Sequence, residues 1–339
     1  MEHHVVVFAA GARACVTLLA LATSAIVTPY DTSSHLQAGG SPLAALSNWD
    51  GVYFSHIALN GYDFEHFHAF FPLYPLLARW LARLLPLETS AALITSGWLI
   101  SNVSFVLAAL FLYRLGCVVL RKEVVARRAA YLFCVVPSNI FMSAFYSESL
   151  MCLLSFSGMY FLARHAQAPK TRRSFWDLVL CALLFGASSA TRSNGILLSF
   201  SGAVGMEDRS WCTNAVPNLT AMYSFIQREY WNVGLFRYYE LKQLPNFILA
   251  APIIVLSMHA LHGYFRVVNA LLVVHIQVTT RLLCACPPLF WHPAMLMCDP
   301  TVKRKASPVL TSYGRLVVGY FLLFTVLGSV LFPSFYPWT

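Results

Sequence analysis

The residue best placed for chemistry is Asp50, which follows Trp49 and precedes Gly51. Its carboxylate therefore lies between a large aromatic ring and a flexible glycine. An indole that excludes water on one side would make the carboxylate a better general base, although turns and helix caps also use aspartate often. Such a group could accept the proton of a hydroxyl that attacks an electrophilic carbon. We predict Asp50 as a catalytic base and Trp49 as a substrate contact.

A second polar group follows along the chain. Glu65 and His66, with His68 two residues later, directly precede an apolar stretch. An acid beside imidazoles could orient a sugar hydroxyl or hold a divalent ion, but the spacing matches no metal-binding motif. Histidines also occur at membrane interfaces without any such role. We predict that Glu65 and His66 bind substrate and that there is no metal site.

Further candidates lie beyond the middle of the chain. Arg192 sits near the end of an apolar run, with Asn194 close behind it. An ionisable group at that depth is costly unless it faces a polar cavity, and guanidinium suits phosphate, although an arginine at a helix end can also reach the interface. Glu148 is a second charge near a span. Trp231, in a loop of aromatics and amides, suits a sugar face. We predict that Arg192, Asn194 and Trp231 contact substrate.

The elements that must position these residues are membrane helices. Hydrophobic residues make up 58% of the chain and charged residues 11%, whereas a soluble domain has about 25% charged residues. The apolar runs approach the roughly 20 residues that a helix needs to cross a bilayer, and lipid cannot satisfy open backbone groups. We predict an all-α polytopic membrane protein with about eight spans. The predicted spans are Ala14–Tyr30, Ala91–Tyr113, Ala129–Phe145, Ser147–Ala163, Trp176–Ser201, Asn246–His262, Tyr264–Leu282 and Leu316–Phe332.

The net charge of +9 comes from basic residues whose positions indicate which loops face the cytosol. The basic residues form short clusters between apolar runs and do not follow one face with interleaved aromatics, which argues against nucleic-acid binding. Arg114–Arg128 and Arg164–Arg173 flank the third and fourth spans, so the positive-inside rule places both in the cytosol. Asp31–Ser90 then forms a long first luminal loop. Its last part, Phe70–Leu87, suits a helix lying in the membrane interface, or else an ordinary re-entrant connection.

The predicted topology conflicts with the positive-inside rule near the end of the chain. If Trp176–Ser201 ends in the lumen, the next two spans leave the basic stretch Lys303–Lys305 in the lumen as well. One more span between Ser201 and Trp211 would remove the conflict. That stretch is too short and polar to hold one.

Several blocks of this sequence together resemble the GPI mannosyltransferase 2 (PIG-V) family. They occur in order over nearly the whole chain, and the set is far more specific than any one block. The matching blocks are Asn48–Gly51, Gly61–Tyr62, Glu65–His66, Ala69–Pro72, Thr191–Gly195, Tyr230–Gly234, Tyr238–Gln243, Pro245–Phe247 and His275–Arg281. The resemblance implies a helical bundle of the GT-C type in the endoplasmic reticulum membrane.

The resemblance also implies an activity, namely transfer of mannose from dolichyl-phosphate mannose to a mannosylated GPI precursor lipid. The link formed would be the α-1,6 bond of the second mannose. An acidic residue of the first luminal loop acts as base in the family, and Asp50 matches that position. A β-linked donor and an α-linked product call for one displacement with inversion, with Arg192 as a partner for the leaving phosphate. No cofactor is implied; the expected partners are both lipid substrates, membrane lipids and, as an open candidate, an accessory subunit.

The sequence departs from the family in two places. The stretch 201–211 looks shortened, since the family has a further span and loop there, so we predict one transmembrane domain over 1–339 that is internally shortened. Phe67 and His68 replace the Asn-Phe expected after Glu65 and His66, which makes His68 a poor candidate. The alternatives are a catalytically inactive shortened form, a binder or transporter of lipid-linked sugars, and another dolichyl-phosphate-sugar transferase acting on N-glycans or protein.

Overall fold

The computed structural model describes residues 1–30, 43–167, 172–192 and 308–336, with shorter stretches at 225–226, 228–230, 248, 251–256, 281 and 284–298. These residues form helices and turns and contain no strand. The helices are α1 (Glu2–Ile26), α2 (Asp50–Asn60), α3 (Leu73–Ala82), α4 (Thr89–Leu120), α5 (Glu123–Cys134), α6 (Glu148–Gln167), α7 (Arg172–Thr191), α8 (Pro288–Cys298) and α9 (Pro308–Leu331). Short 3₁₀ turns cover Ala44–Ser47, Glu65–Ala69 and Phe332–Ser334.

The prediction of an all-α polytopic membrane protein is confirmed. Within the described ranges, 4 helices are long and apolar enough to cross a membrane, namely Glu2–Ile26, Thr89–Leu120, Ser174–Thr191 and Gly314–Ser334. Several bounds differ from the prediction, since α1 begins at Glu2 and α4 continues to Leu120. The predicted spans Asn246–His262 and Tyr264–Leu282 fall largely outside the described residues.

The predicted third span, Ala129–Phe145, is wrong as a continuous helix. Helix α5 ends at Cys134, and residues 135–147 form a series of turns whose side chains are mostly buried. Pro137 explains the break, because proline has no N–H to donate and disfavours helical backbone at the residue before it. This proline within an apolar run is the sequence signal for the interruption.

Arg13 of α1 donates hydrogen bonds to backbone and side-chain oxygens in and directly before this turn segment. Its Nη1 donates to the carbonyl of Asn139 at 2.9 Å and to Oγ of Ser143 at 3.0 Å. Its Nη2 donates to Oδ1 of Asn139 and, at 3.4 Å, to the carbonyl of Cys134. The guanidinium carbon also lies 3.7 Å from the ring centroid of Phe105. Since lipid offers no hydrogen bonds, this buried cation replaces bonds that an unbroken helix would make.

The two basic clusters lie at one end of the bundle, which we call the basic end. Arg114, near the end of α4, pairs with Glu2 at the start of α1 over 2.7 Å. Gln167, the last residue of α6, donates to the carbonyl of Val118 at 3.2 Å. The opposite end, where α2 and α6 begin and α7 and α9 finish, is called the site end. That the basic end faces the cytosol stays a prediction.

Helix α8, which is not among the predicted spans, runs antiparallel to α9. The ring of Phe290, near its start, lies 6.4 Å from that of Phe321, near the middle of α9. Met297, near its end, packs on Gly314, closer to the start of α9, where an added Cβ would lie 2.7 Å from Met297 Cγ. The chain therefore travels toward the basic end through α8 and returns to the site end through α9.

This reversal corrects the predicted topology of the last part of the chain. Lys303–Lys305, outside the described residues, falls between α8 and α9, whose neighbouring ends both lie toward the basic end. Helix α9 then runs from the basic end toward the site end. The conflict with the positive-inside rule disappears, so topology no longer argues for a missing span.

Gly97 of α4 allows the turn segment to pack closely against this helix. An added Cβ there would overlap the ring of Phe145, which is fully buried. We expect Gly97→Ala to lower the free energy of unfolding by about 1–3 kcal/mol, because the crowded core must shift. Thermal unfolding of the purified protein in detergent micelles measures this. Gly186→Ala in α7 is the control, since nothing lies within 4 Å of its Cβ position; equal losses in both variants would contradict the packing.

Candidate active site

Asp50 is the first residue of α2 and lies at the site end. The helix begins there because Trp49 adopts φ 56° and ψ −123°, a conformation that residues other than glycine rarely take. The indole of Trp49 has its ring centroid 5.7 Å from that of Phe335, which follows α9. Strained backbone of this kind persists only where the surroundings hold it, and it is concentrated at functional sites.

The hydroxyl of Tyr146 holds this strained turn. The backbone N–H of Asp50 donates to it at 2.9 Å, and the hydroxyl donates to the carbonyl of Asn48 at 3.1 Å. The side-chain amide of Asn48 donates in turn to the carbonyls of Phe332 at 3.3 Å and Pro333 at 2.8 Å. Tyr146 and Asn48 are both buried. The turn segment and the end of α9 together fix the backbone of Asp50.

Arg281 connects the carboxylate of Asp50 to a second carboxylate. Its Nη1 lies 2.9 Å from Oδ2 of Asp50, and its Nε pairs with Oε1 of Glu148. Arg192 pairs through Nη1 with the same oxygen of Glu148. The side chain of Glu148 is completely buried, each arginine is 13% exposed and Asp50 is 33% exposed. Two cations and two anions thus balance in one cluster.

Aromatic rings fix the guanidinium of Arg281. Its Cζ lies 4.7 Å from the ring centroid of Phe141 and 5.0 Å from that of Tyr146. Such contacts attract a cation electrostatically while they exclude water from it. A buried charge is tolerated where it is paired and hydrogen-bonded, as it is here. Arg281 is therefore a well-positioned cation at the edge of the site.

The predicted residues Glu65 and His66 lie together in a separate part of the site end. Oε2 of Glu65 accepts a hydrogen bond from the hydroxyl of Tyr230 at 2.8 Å, and the ring of His66 lies 5.4 Å from that of Tyr230. Tyr53, one turn after Asp50 in α2, has its ring 5.8 Å from His66. Tyr53 thus lies between Asp50, on the same helix, and the group formed by Glu65 and His66.

Burial and nearby charges shift the pKa values of Tyr53 and His66. Burial raises the pKa of Tyr53, and the negative charge of Asp50 raises it further. Burial lowers the pKa of His66, and His56 lowers it further. Glu65 has the opposite effect and raises this pKa, but the net shift is downward. The imidazole of His66 is therefore neutral near pH 7 and can both donate and accept a hydrogen bond.

Of the predicted site residues, Asp50 and Arg192 are brought together through Glu148 and Arg281. Asn194 and Trp231 lie outside the described residues, so their predicted roles stay predictions. In the part of the chain that the structure describes, no three His, Cys, Asp or Glu side chains group as a metal site.

Sequence reasoning did not assign a role to Arg281. It closes the block His275–Arg281, which carries part of the resemblance, and it pairs with two acids at distant positions. Glu148 is singled out by the sequence only as a charge near a span. A signal was present, since charges at the ends of apolar runs are costly unless paired, so a buried Glu148 predicts a cationic partner.

Comparison with known proteins places the chain in a family. The family profile described as Mannosyltransferase (PIG-V) matches residues 3–206, 198–267 and 258–339. These three overlapping pieces cover nearly the entire sequence. The chain belongs to this family.

The PIG-V relatives match it over most of their length. GPI alpha-1,6-mannosyltransferase 2 of Cricetulus griseus and of Homo sapiens are each 28% identical, over 88% of this chain and 88% of the relative. GPI mannosyltransferase 2 of Yarrowia lipolytica is 30% identical, over 81% of this chain and 87% of the relative. The family resemblance predicted from the sequence is confirmed.

The mammalian PIG-V relatives contain segments with no counterpart in this chain. The alignment with the Cricetulus griseus protein runs over 453 residues, whereas this chain has 339. The pieces of the profile match overlap at 198–206 and at 258–267, and the first overlap covers part of the predicted shortening at 201–211. That stretch lies outside the described residues, so the place of the shortening stays a prediction.

The hydrogen bonds of Tyr146 give a test of how the site is held. We expect Tyr146→Phe to lower the free energy of unfolding by about 1–3 kcal/mol, because the N–H of Asp50 and the carbonyl of Asn48 lose a partner. The thermal midpoint in detergent measures the loss. Tyr131→Phe is the matched control, since the described contact of that ring is apolar, with Phe8 at 4.6 Å. Identical midpoints for both variants would show that the hydroxyl does not hold the turn.

Proposed function

We propose that this chain transfers mannose from dolichyl-phosphate mannose to a mannosylated GPI precursor lipid at the luminal face of the endoplasmic reticulum membrane. The bond formed is the α-1,6 link of the second mannose. Family membership and the names of the mammalian relatives support this reaction. The observation that carries it is the carboxylate of Asp50 paired with Arg281, which shares Glu148 with Arg192, at the end of the bundle opposite the basic clusters.

The reaction needs one base. The 6-hydroxyl oxygen of the acceptor attacks the anomeric carbon of the donor mannose, and the bond from that carbon to the phosphate oxygen breaks. Asp50 accepts the hydroxyl proton, while the phosphate leaves with the electron pair of the broken bond. A single in-line displacement converts the β-linked donor into an α-linked product. The configuration at the anomeric carbon is therefore inverted.

Arg281 and Arg192 stabilise the leaving phosphate. Negative charge grows on the phosphate in the transition state, and guanidiniums that are already fixed in place stabilise it without rearranging. Both side chains are largely shielded from water, so their attraction for an anion is screened less than at an open surface. The role predicted for Arg192 thus extends to Arg281.

The second polar group suits the sugar part of the acceptor. Aromatic rings pack on sugar faces, and carboxylates and imidazoles bind sugar hydroxyls. Glu65, His66 and Tyr230 offer this combination next to Tyr53. The same role is proposed for Trp49, Asn194 and Trp231.

Helix α3 supports a site at the membrane surface. Tyr74 and Ala78 are buried on one face of it, while Leu76, Trp80 and, just beyond its end, Leu84 are exposed. An amphipathic helix with exposed leucine and tryptophan suits the interface between head groups and acyl chains. Lipid substrates can then keep their tails in the membrane while their head groups reach the site end.

Complementation tests the role of Asp50. In cells that lack GPI mannosyltransferase 2, we expect the native chain to restore surface GPI-anchored proteins, counted by flow cytometry. We expect Asp50→Asn to restore far less at equal protein level, because loss of a general base costs about 10²–10⁴-fold in rate. Asp63→Asn is the matched control, as its carboxylate lies in the same loop and pairs with His56 at 3.1 Å. Full restoration by Asp50→Asn would exclude Asp50 as the base.

The same cells test the shortened form. If the native chain does not restore the surface signal, the segment between the residues equivalent to Ser201 and Trp211 in the Homo sapiens relative is inserted. Recovery would mean that the shortened form is catalytically inactive. No recovery at equal protein level would contradict the proposed activity itself.

A further inference from the structure

Asp50, the proposed base, forms an ion pair with Arg281 in the structure. Oδ2 of Asp50 lies 2.9 Å from Nη1 of Arg281, within the range of a charge-assisted hydrogen bond. The carboxylate is thereby oriented toward Arg281. An acceptor hydroxyl has to compete with this pair for the same carboxylate.

The two ion pairs of Arg281 differ in their access to solvent. Glu148 is completely buried, whereas Asp50 is 33% exposed. An anion that approaches the site from outside therefore meets Arg281 on the side of Asp50. The pair with Glu148 lies behind it and keeps the guanidinium in place.

Glu148 also brings the second cation close. One of its oxygens, Oε1, accepts a hydrogen bond from Nε of Arg281 and forms an ion pair with Nη1 of Arg192, so the two guanidiniums converge on a single oxygen. A phosphate has several oxygens at short spacing and can accept hydrogen bonds from two guanidiniums at once. The pair of arginines has the chemistry of a site for a phosphate ester.

We propose that the phosphate of the lipid-linked donor takes Arg281 from Asp50, so that the carboxylate is released to act as base only after the donor has bound. This inference rests on the function proposed above. Glu148 is a positioning residue, since it holds both guanidiniums where the phosphate arrives. Donor binding therefore precedes productive acceptor binding.

The charges of the site agree with this sequence of events. The four side chains are neutral as a set, and a donor phosphodiester adds one negative charge. That charge repels the carboxylate of Asp50 and attracts both guanidiniums. When Asp50 then accepts the acceptor proton, negative charge passes from Asp50 to the leaving phosphate, toward Arg281 and Arg192. The total charge is unchanged, and its movement is toward the cations that stabilise it.

The decisive measurement is the affinity for dolichyl phosphate, which carries the phosphate without the sugar. The full chain is placed in lipid nanodiscs, and binding and mannose transfer are measured on the same preparation. We expect Asp50→Asn to bind dolichyl phosphate about fivefold more tightly, because no carboxylate competes for Arg281, while transfer is lost. We expect Arg281→Gln to bind it about tenfold more weakly. Asp63→Asn should change neither quantity.

The outcomes separate this inference from the proposed function. If Asp50→Asn binds dolichyl phosphate as tightly as the native chain or more weakly, the inference that the donor releases Asp50 from Arg281 is wrong, even when that variant is inactive. Retained transfer by Asp50→Asn overturns the role of Asp50 as base, whatever its affinity. Asp50→Asn preserves the shape of the side chain, so this comparison stands even if Arg281→Gln does not fold.

Glu148→Gln tests the positioning role. We expect it to raise the KM for the donor more than it lowers kcat, because the guanidiniums are no longer held by a charge. A purely structural Glu148 would reduce the amount of folded protein and leave the KM of the remainder unchanged. That second result would remove Glu148 from the inference.

Discussion

Inside a membrane, every polar backbone group must find its partner within the protein, and the turns at 135–147 make this demand most acute. Arg13 of α1 donates to the carbonyls of Cys134 and Asn139, and Asn139 and Thr325 extend the network to α9. Asn139 donates to Oγ1 of Thr325 at 3.2 Å, and Thr325 donates to a carbonyl of the turn segment at 3.1 Å. These bonds supply partners where the chain leaves the helix, and the turns that follow bring Tyr146 to the backbone of Asp50.

The charge cluster at the site end is hard to explain by stability alone. Replacing a buried ion network with apolar side chains is often neutral or stabilising, because desolvation offsets the attraction between the charges. Glu148 and its two arginines nevertheless lie where the starts of α2 and α6 and the end of α7 come together. The proposed function accounts for such an arrangement, since cations that are oriented before the substrate arrives can bind a phosphate and stabilise it as a leaving group.

The membrane fold follows from the sequence wherever an apolar run is long and contains no proline, as in α4. The prediction of helices from apolar runs fails at Pro137, shortly after the end of α5, and at α8, which is short and contains Pro293. Asp50 stands out from its immediate neighbours, so a local pattern finds it. Arg281 lies 231 positions away, and no periodicity reveals which charged residue at the end of one span meets an acid at the start of another helix. That pairing depends on how the helices pack, which the sequence expresses only through the whole fold.

The amide of Asn48 binds carbonyls that follow it by 284 and 285 positions. During synthesis, those carbonyls leave the ribosome long after α2 has been made, and they reach Asn48 only once α9 has entered the membrane. Until then the turn that carries Asp50 lacks one of its anchors. The candidate site is therefore assembled only after α9 has entered the membrane, and a chain that has inserted α2 but not α9 lacks this anchor.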